Sequence, residues 1–569
     1  MKMQVAALRH RPESEDCYLV SQEDMKLRLH TGKDVQAVYV YYGDIYEPLT
    51  ELKKAEMALA GHGQVNDYWE ATVTMPNHRC RYLFEVVGQD GEKVIYGDRG
   101  IRKDEQESYD DPSNYIKLPY FHLIDMTKTP DWVKSTVWYQ IFPERFANGD
   151  KTNDPAGVKP WKPDDKPGRD DYYGGDLQGV LDHLDYLQKL GVNGLYFCPI
   201  FKAASNHKYN TTDYLEVDPE FGDKALFAKL VNEAHKRGMK VMLDAVFNHI
   251  GDTSLQWQDV VANGEKSRFK DWFHINHFPV EPYDPKDPSY ETFAFEKHMP
   301  KLNTANPEVV DYLLTIATYW IKEFDIDAWR LDVADEVDHR FWRKFRDAVT
   351  AIKPDFYVLG ESWHASQPWL NGDEFSGTMN YPFTGQIGDH FLKGVQDAKT
   401  MTELLTDQLF LYREQTNSAM LNVLDSHDTP RIKTVAKGDE DKALQALAFT
   451  FVQTGSPCIY YGTEMGMSVG EDPDCRKPMD WSQDGSPVWQ VVHEIIQFRR
   501  DHWKTLSQAA TWLEVTKAGL IHVVRNGHEK IEAWFNTTGK AVSLESEAAL
   551  SRGYQGGELA NKGYVFELK

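Results

Sequence analysis

Apolar and polar positions along the chain follow three successive rhythms. From Met1 to about Asp125 the runs MKLRLHT, QAVYVYY, YWEATVTM and CRYLFEVV read as strands, with β-branched and aromatic residues set among polar ones. In VGQDGEKV, Asp90-Gly91 stands where a tight hairpin needs residues that tolerate positive φ. The pattern predicts a β-sandwich over 1–125. Such a domain can serve as a packing or dimerisation module or as a carbohydrate-binding surface, and the pattern does not separate these uses.

After a Pro-containing link near Pro130, strand and helix patterns alternate. VWYQIF (137–142) reads as a strand, and Leu177, Val180, Leu181, Leu184, Leu187 and Leu190 then recur at helical spacing up to Gly191. GLYFCPI is the next strand, and Phe227, Leu230, Val231 and Ala234 mark a helix stopped at Gly238 before KVMLDAVFNH. Pro307 opens a long helix through Phe324 into FDIDAWRLDVADEV (324–337), and Phe341–Ile352 forms a further helix. DFYVLGES, SGTMNYP, MLNVLDS and CIYYGTE are the later strands. Eight strands separated mostly by helices predict an α/β fold, a closed (β/α)8 TIM barrel over 126–502. The longer interval at about 247–306 predicts an inserted subdomain over the barrel mouth. Short strands return in 503–569, where LIHVVRNGHEKIEAWF reads as an Asn-Gly hairpin of a C-terminal all-β domain.

Candidate chemistry gathers at the C-terminal strand ends, the active face of such a barrel. There lie Asp244 with His249, Arg330 with Asp332, Glu361, and His427 with Asp428. The alternation in FDIDAWRLDVADEV puts Arg330 and Asp332 on one face, where a permanent cation favours an ionised carboxylate suited to be a nucleophile. The same pair could equally order a strand end. Asp332, Glu361 and Asp428, however, converge from three different strands, and crowding in a low-dielectric cleft pushes carboxylate pKa values apart. Glycoside hydrolysis needs such a set: one carboxylate to attack the anomeric carbon and one carboxylic acid to protonate the leaving oxygen, about 5–5.5 Å apart in retaining enzymes. Metal-dependent hydrolysis lacks support, since no HExxH or comparable close-set His motif occurs.

Composition narrows the partner. A formal charge of −25, from 63 Lys and Arg against 88 Asp and Glu with no basic run, repels phosphate backbones and anionic lipid. Neither nucleic acid nor a membrane is expected as partner, and the substrate is uncharged or cationic. Sixteen Trp and twenty-nine Tyr offer flat faces on which sugar rings stack. The five cysteines are odd in number, scattered and without CxxC, and Cys198 and Cys458 lie in apolar runs, which predicts inert buried thiols. The opening MKMQVAALRHRPESEDC is too short in apolar residues for a signal peptide, and no run of about 18 apolar residues occurs, so a cytoplasmic protein is expected.

DAVFNH (244–249), DAWRLDVADE (327–336), GESW (360–363) and SHD (426–428) together resemble the ordered motifs of the α-amylase family. MPKLN (299–303), Glu336 four residues after Asp332, and the N-terminal β domain resemble its cyclomaltodextrinase, neopullulanase and maltogenic amylase subgroup, and the likeness covers essentially the whole chain. The resemblance implies that Asp332 is the nucleophile, Glu361 the general acid and base, and Asp428 the group that grips sugar hydroxyls at the scissile ring. Arg330 would hold Asp332 ionised, His249 and His427 would hydrogen-bond sugar hydroxyls with Asp244 beside them, Tyr209 in NHKYNTTDY would stack under the ring, and Trp363 and Glu336 would line the leaving-group side. NGDKTND (148–154) with GGD (174–176) resembles a calcium loop of part of the subgroup, implying a structural calcium on Asn148, Asp150, Asn153, Asp154, the Gly174 carbonyl and Asp176; the alternative is an Asx-rich turn needing no metal. The chain departs from the subgroup pattern in having Asp at 335, where Asn is usual, and Asn at 210, where Asp is usual.

The implied activity is that of a retaining α-glucan hydrolase. It would open cyclodextrins and cut maltooligosaccharides, attack pullulan and starch more slowly, and carry out some transglycosylation. The implied assembly is a homodimer through the N-terminal domain. An α-glucosidase or oligo-1,6-glucosidase on the same barrel is the alternative enzyme, and a glucan-binding scaffold protein the alternative without chemistry.

Overall fold

The second rhythm closes on itself. In a computed structural model that describes residues 3–508 and 511–569, eight strands lie in chain order: Trp138–Ile141, Gly194–Phe197, Lys240–Ala245, Ala328–Leu331, Tyr357–Gly360, Gly377–Thr378, Leu421–Val423 and Ser456–Tyr460. Every pairing is parallel, and the last strand returns to the first with Cys458 opposite Trp138. The remaining seam, between the sixth and seventh strands, is closed by a parallel bridge from Met379 to Leu421. This is the expected (β/α)8 barrel. Trp138, Tyr196, Met242, Tyr357, Leu359, Met379 and Leu421 fill one fully buried core, and burying each large apolar side chain contributes roughly 1.5–3 kcal/mol.

The helices around it begin and end where their sequence says. Asp223 caps Lys224–Lys236, whose buried residues are Phe227, Leu230, Val231 and Ala234, and Gly238 follows at φ +72°. Asn306 caps Pro307–Phe324, and Asp338 caps Phe341 N–H in His339–Ile352. The leucine stripe ending at Gly191 proves to be two helices, Leu177–Asp182 and Leu184–Leu190. The break at His183 goes with its side chain: its Nδ1 lies 2.7 Å from the Gly179 carbonyl oxygen and its ring stacks on Trp481.

These elements belong to one compact unit, Thr129–Lys393 with Ala419–Ser507. The other unit combines Met1–Lys128, Gly394–Ser418 and Gln508–Lys569. Its N-terminal sheet contains the anticipated strands as Asp24–Thr31, Val35–Gly43, Asp67–Thr74 and Cys80–Gly88, and Gly91 turns the hairpin to Lys93–Gly97 at φ +80°. It also contains a strand without a clear sequence signal, Lys53–His62. In the C-terminal part, Ile521–Asn526 pairs with Lys530–Phe535 as expected, but Asn526 lies opposite Lys530. Three residues therefore make the turn, and Gly527 is not among the positive-φ glycines. All five cysteines are buried and unpaired with one another.

Candidate active site

The barrel's C-terminal strand ends carry a cluster built around one cation. Asp244 lies within the third strand and Arg330 within the fourth, and the backbone N–H groups of Asp332 and Glu361 donate to Ala245 O and Leu331 O at 2.9 Å. Asp332 and Glu361 are thus each pinned to a neighbouring strand. Arg330, fully buried, donates through Nη1 to Asp244 Oδ1 and Oδ2 (3.0 and 2.9 Å) and to Asp332 Oδ1 (2.7 Å), while Nη2 pairs with Glu361 Oε1 at 2.8 Å. Val333, next to Asp332, takes φ +47°, ψ +44°. This left-handed conformation is unfavourable for a β-branched residue. It aims the Val333 N–H at Glu361 Oε2, 2.9 Å away.

One guanidinium serves three carboxylates, and the electrostatics follow. Burial pushes Asp332 well above the usual carboxylate range, the repulsion of Glu361, Asp244 and Asp428 adds to this, and Arg330 pulls the other way. Burial pushes Asp244 up to about 6 against the same pull of Arg330. Asp428 is pushed up to about 7 by burial and then by Glu361; with 29% of its side chain open to the cleft, water screens it more than Asp244. Arg330 thus favours the ionised form of Asp332, as expected of a cation at 2.7 Å, while burial and the neighbouring carboxylates oppose it.

Around this cluster the ring-bearing residues are fixed by hydrogen bonds. Tyr209 O–H donates to Asp244 Oδ2 at 2.9 Å, and its ring stacks on His427 at 5.2 Å with 2° between planes. Gln140 Nε2 lies 2.8 Å from His427 Nδ1. Since an amide N–H donates, that nitrogen accepts, and the single proton of a neutral ring sits on Nε2, 3.0 Å from Asp428 Oδ2. Burial keeps His427 well below its ordinary range, and His249 is lowered to about 3 for the same reason. Both imidazoles are neutral donors. Trp363 is half exposed, stacks on Tyr381 at 3.9 Å, and donates from Nε1 to Glu361 Oε1 at 3.2 Å. Glu336 pairs with Lys301 at 2.7 Å.

A cleft of about 940 Å³ opens over these groups. Tyr209, His249, Asp332, Glu336, Glu361, Trp363, His427 and Asp428 line it, whereas Asp244 and Arg330 lie behind its wall and act through Tyr209, Asp332 and Glu361. The lining also includes groups without an obvious sequence signal, notably His207, Phe293, Asp472 and Arg476. Arg476 donates from Nε to His427 O at 2.8 Å, and its two terminal nitrogens pair with Asp472 and Asp428 at 3.1 and 3.3 Å. Its one available signal is position: a lone arginine in EDPDCRKP, after the last barrel strand.

The six loop residues suggested for calcium also come together. Asp176 accepts from Gly149 N, Asp150 N and Gly179 N, Asn148 Nδ2 donates to Asp154, and Asn153 Nδ2 donates to Asp176. The Oδ1 atoms of Asn148 and Asn153 are buried without a hydrogen-bond partner. Gly174 sits at φ +81°, where a Cβ would come within 2.3 Å of Asp154. Among the described residues no three His, Cys, Asp or Glu side chains stand close enough to ligate one metal. The unpartnered amide oxygens are nonetheless of the kind a hard cation takes.

Residues 140–511 match the family described as alpha amylase, catalytic domain, and residues 3–122 match alpha amylase, N-terminal ig-like domain. An intracellular maltogenic amylase of Bacillus subtilis is 47% identical over 95% of this chain and 92% of its own length. A cyclomaltodextrinase of Geobacillus thermopakistaniensis is 45% identical over the same shares. Neopullulanase 2 of Thermoactinomyces vulgaris is 43% identical over 92% of this chain and 89% of its own. A solved cyclomaltodextrinase structure superposes with a TM-score of 0.91 at 40% identity, covering 100% of this chain and 98% of that one. With the barrel, its carboxylate cluster and these likenesses together, the chain belongs to the α-amylase family of glycoside hydrolases.

Proposed function

We propose that this glycoside hydrolase retains anomeric configuration and cleaves α-1,4-glucosidic bonds of cyclodextrins and maltooligosaccharides. The observation that carries the proposal is Arg330 bridging Asp332 and Glu361, one on each terminal nitrogen. Two carboxyl groups held on the two terminal nitrogens of one guanidinium support the close pairing of retaining enzymes, in which one of them attacks directly. Asp332 attacks the anomeric carbon, and Glu361 gives its proton to the leaving oxygen and later takes one from water or an acceptor sugar. Asp428 and His427 bind hydroxyls of the distorted ring, Tyr209 supports its face, and His249 holds the Tyr209 backbone in place through its Nε2. The names of the relatives support cyclodextrins, maltooligosaccharides and pullulan as substrates.

Initial rates on β-cyclodextrin, soluble starch and pullulan, with products resolved by size, test the substrate class. Faster cyclodextrin opening is expected; starch cut faster with no cyclodextrin opening overturns it. Asp332→Asn should abolish turnover while leaving glucan binding largely intact. Glu361→Gln should lower kcat by about 10²–10⁴-fold, and far less on a substrate whose leaving group needs no proton.

The loop fits a structural calcium held by Asn148, Asp150, Asn153, Asp154, Gly174 O and Asp176, which would tie the loop together without entering the reaction. A homodimer through the N-terminal domain, closing over the neighbour's cleft, is the assembly that suits small or cyclic substrates, and sedimentation velocity tests it. A cytoplasmic location is supported by the Bacillus subtilis relative's being an intracellular enzyme; among the described residues no helix is long and apolar enough to cross a membrane.

A further inference from the structure

Lys301, in MPKLN, joins two parts of the cleft. Its Nζ donates to Glu336 Oε2 at 2.7 Å and to Asn248 Oδ1 at 2.5 Å. An ammonium only donates, so the Asn248 oxygen must face Lys301 and its NH₂ must point away. That NH₂ lies 3.3 Å from His249 Nδ1, which therefore accepts, and the proton of this neutral ring sits on Nε2, 3.1 Å from Tyr209 O. The donor and acceptor roles thus run in one direction from Glu336 to the backbone of Tyr209. Lys301 is itself held in place: it pairs antiparallel with His249, and Leu302 N–H donates to Asn248 O.

We propose that Lys301 is a positioning residue that fixes Glu336 on the acceptor side and the His249 tautomer at the cleavage point, and so sets how the glycosyl-enzyme divides between water and an acceptor sugar. The proposal rests on the glucan hydrolase reading above. With the pair intact, the Glu336 carboxylate has one orientation in which to receive an incoming sugar's hydroxyls. Without it, a side chain with 40% of its surface exposed swings freely, and water, which needs no orientation, gains over the sugar.

The test measures transfer and hydrolysis products together, with maltotriose as donor and glucose as acceptor. For Lys301→Met the transfer share should fall about threefold or more. Lys301→Arg should recover most of it, and Glu336→Gln should reproduce the fall and leave little further effect for Lys301→Met in the same chain. A transfer share unchanged in Lys301→Met, with both rates merely lowered, overturns the proposal, because a structural role slows both outcomes alike. Should Lys301→Met not fold by circular dichroism, Lys301→Gln, which keeps a donor for Asn248 but no charge for Glu336, carries the same expectation. Wild-type protein that releases no products from maltotriose overturns the underlying activity instead, so the two failures are distinct.

Discussion

Around Arg330 the balance of charge is set by count: one cation faces Asp244, Asp332 and Glu361, with Asp428 nearby. Two charges about 4 Å apart interact by ~4 kcal/mol at an effective dielectric constant of 20, and one pH unit is 1.36 kcal/mol. Asp244→Asn removes one negative charge behind the cleft, so the remaining carboxyl groups ionise more readily. The acid limb of the kcat/KM profile should then move to lower pH by about one unit, with kcat/KM itself down roughly tenfold as Arg330 and Tyr209 lose a charged partner. An acid limb that stays in place would show that Asp244 does not couple to the reacting pair. Val333 is the second residue under tension. Its left-handed backbone costs about 1–3 kcal/mol, and Val333→Gly should raise the unfolding free energy by about 1 kcal/mol. Turnover should fall at the same time, because a freer backbone aims its N–H at Glu361 less firmly; thermal unfolding and kcat measured side by side check both halves.

The loop carrying Tyr209 shows how an element is held to its task. Lys208 has φ +64° and a fully buried side chain paired with Asp218 at 3.0 Å and Glu220 at 2.6 Å. Removing one partner of a buried pair costs about 3–5 kcal/mol. Lys208→Met should therefore lower stability by that order and raise KM for glucans as the Tyr209 loop loosens, whereas Lys224→Met, at an exposed pair, should do neither. Elements of this kind also mark the limit of what the sequence discloses. Phe227, Leu230, Val231 and Ala234 at helical spacing, with Asp223 before them, foretold their helix because local pattern and packing agree. The leucine stripe foretold burial but not the break at His183, where a side chain competes for a backbone carbonyl. Lys53–His62 carries no strand signal because KKAEMALAGH is rich in Lys and Ala, which favour helix, and only its place in the sheet makes it a strand. The strand-end acids were legible since barrel topology brings them together. Arg476 and His207 come from loops whose course no periodicity encodes, and the upward push on Asp332 and Asp244 comes from burial, which motifs do not report.

Across the whole molecule, bound calcium would act as a ligand of the folded state alone. A site filled to 100 times its Kd stabilises by about 2.7 kcal/mol. Chelator should therefore lower Tm, added calcium should restore it, and Asp150→Ala should remove that response while leaving kcat near its wild-type value. An equal Tm with and without chelator would mean an Asx-rich turn without metal. The division of the chain has a different reach. The helix Ala398–Leu409 arises between the sixth and seventh barrel strands yet belongs with the N-terminal sheet, where Tyr68 donates to Asp407 at 2.7 Å and stacks on Phe410 at 4.2 Å. A ribosome must therefore pass residue 418 before that unit can acquire its helix, and residue 508 before it receives its last strands. Cutting the gene at residue 129 would leave that helix without its N-terminal neighbours, since Thr406, Asp407 and Phe410 pack against Gly61, Gly63 and Tyr68. The N-terminal sheet is thus no detachable appendage, and shuffling it between relatives requires exchanging three stretches of coding sequence at once.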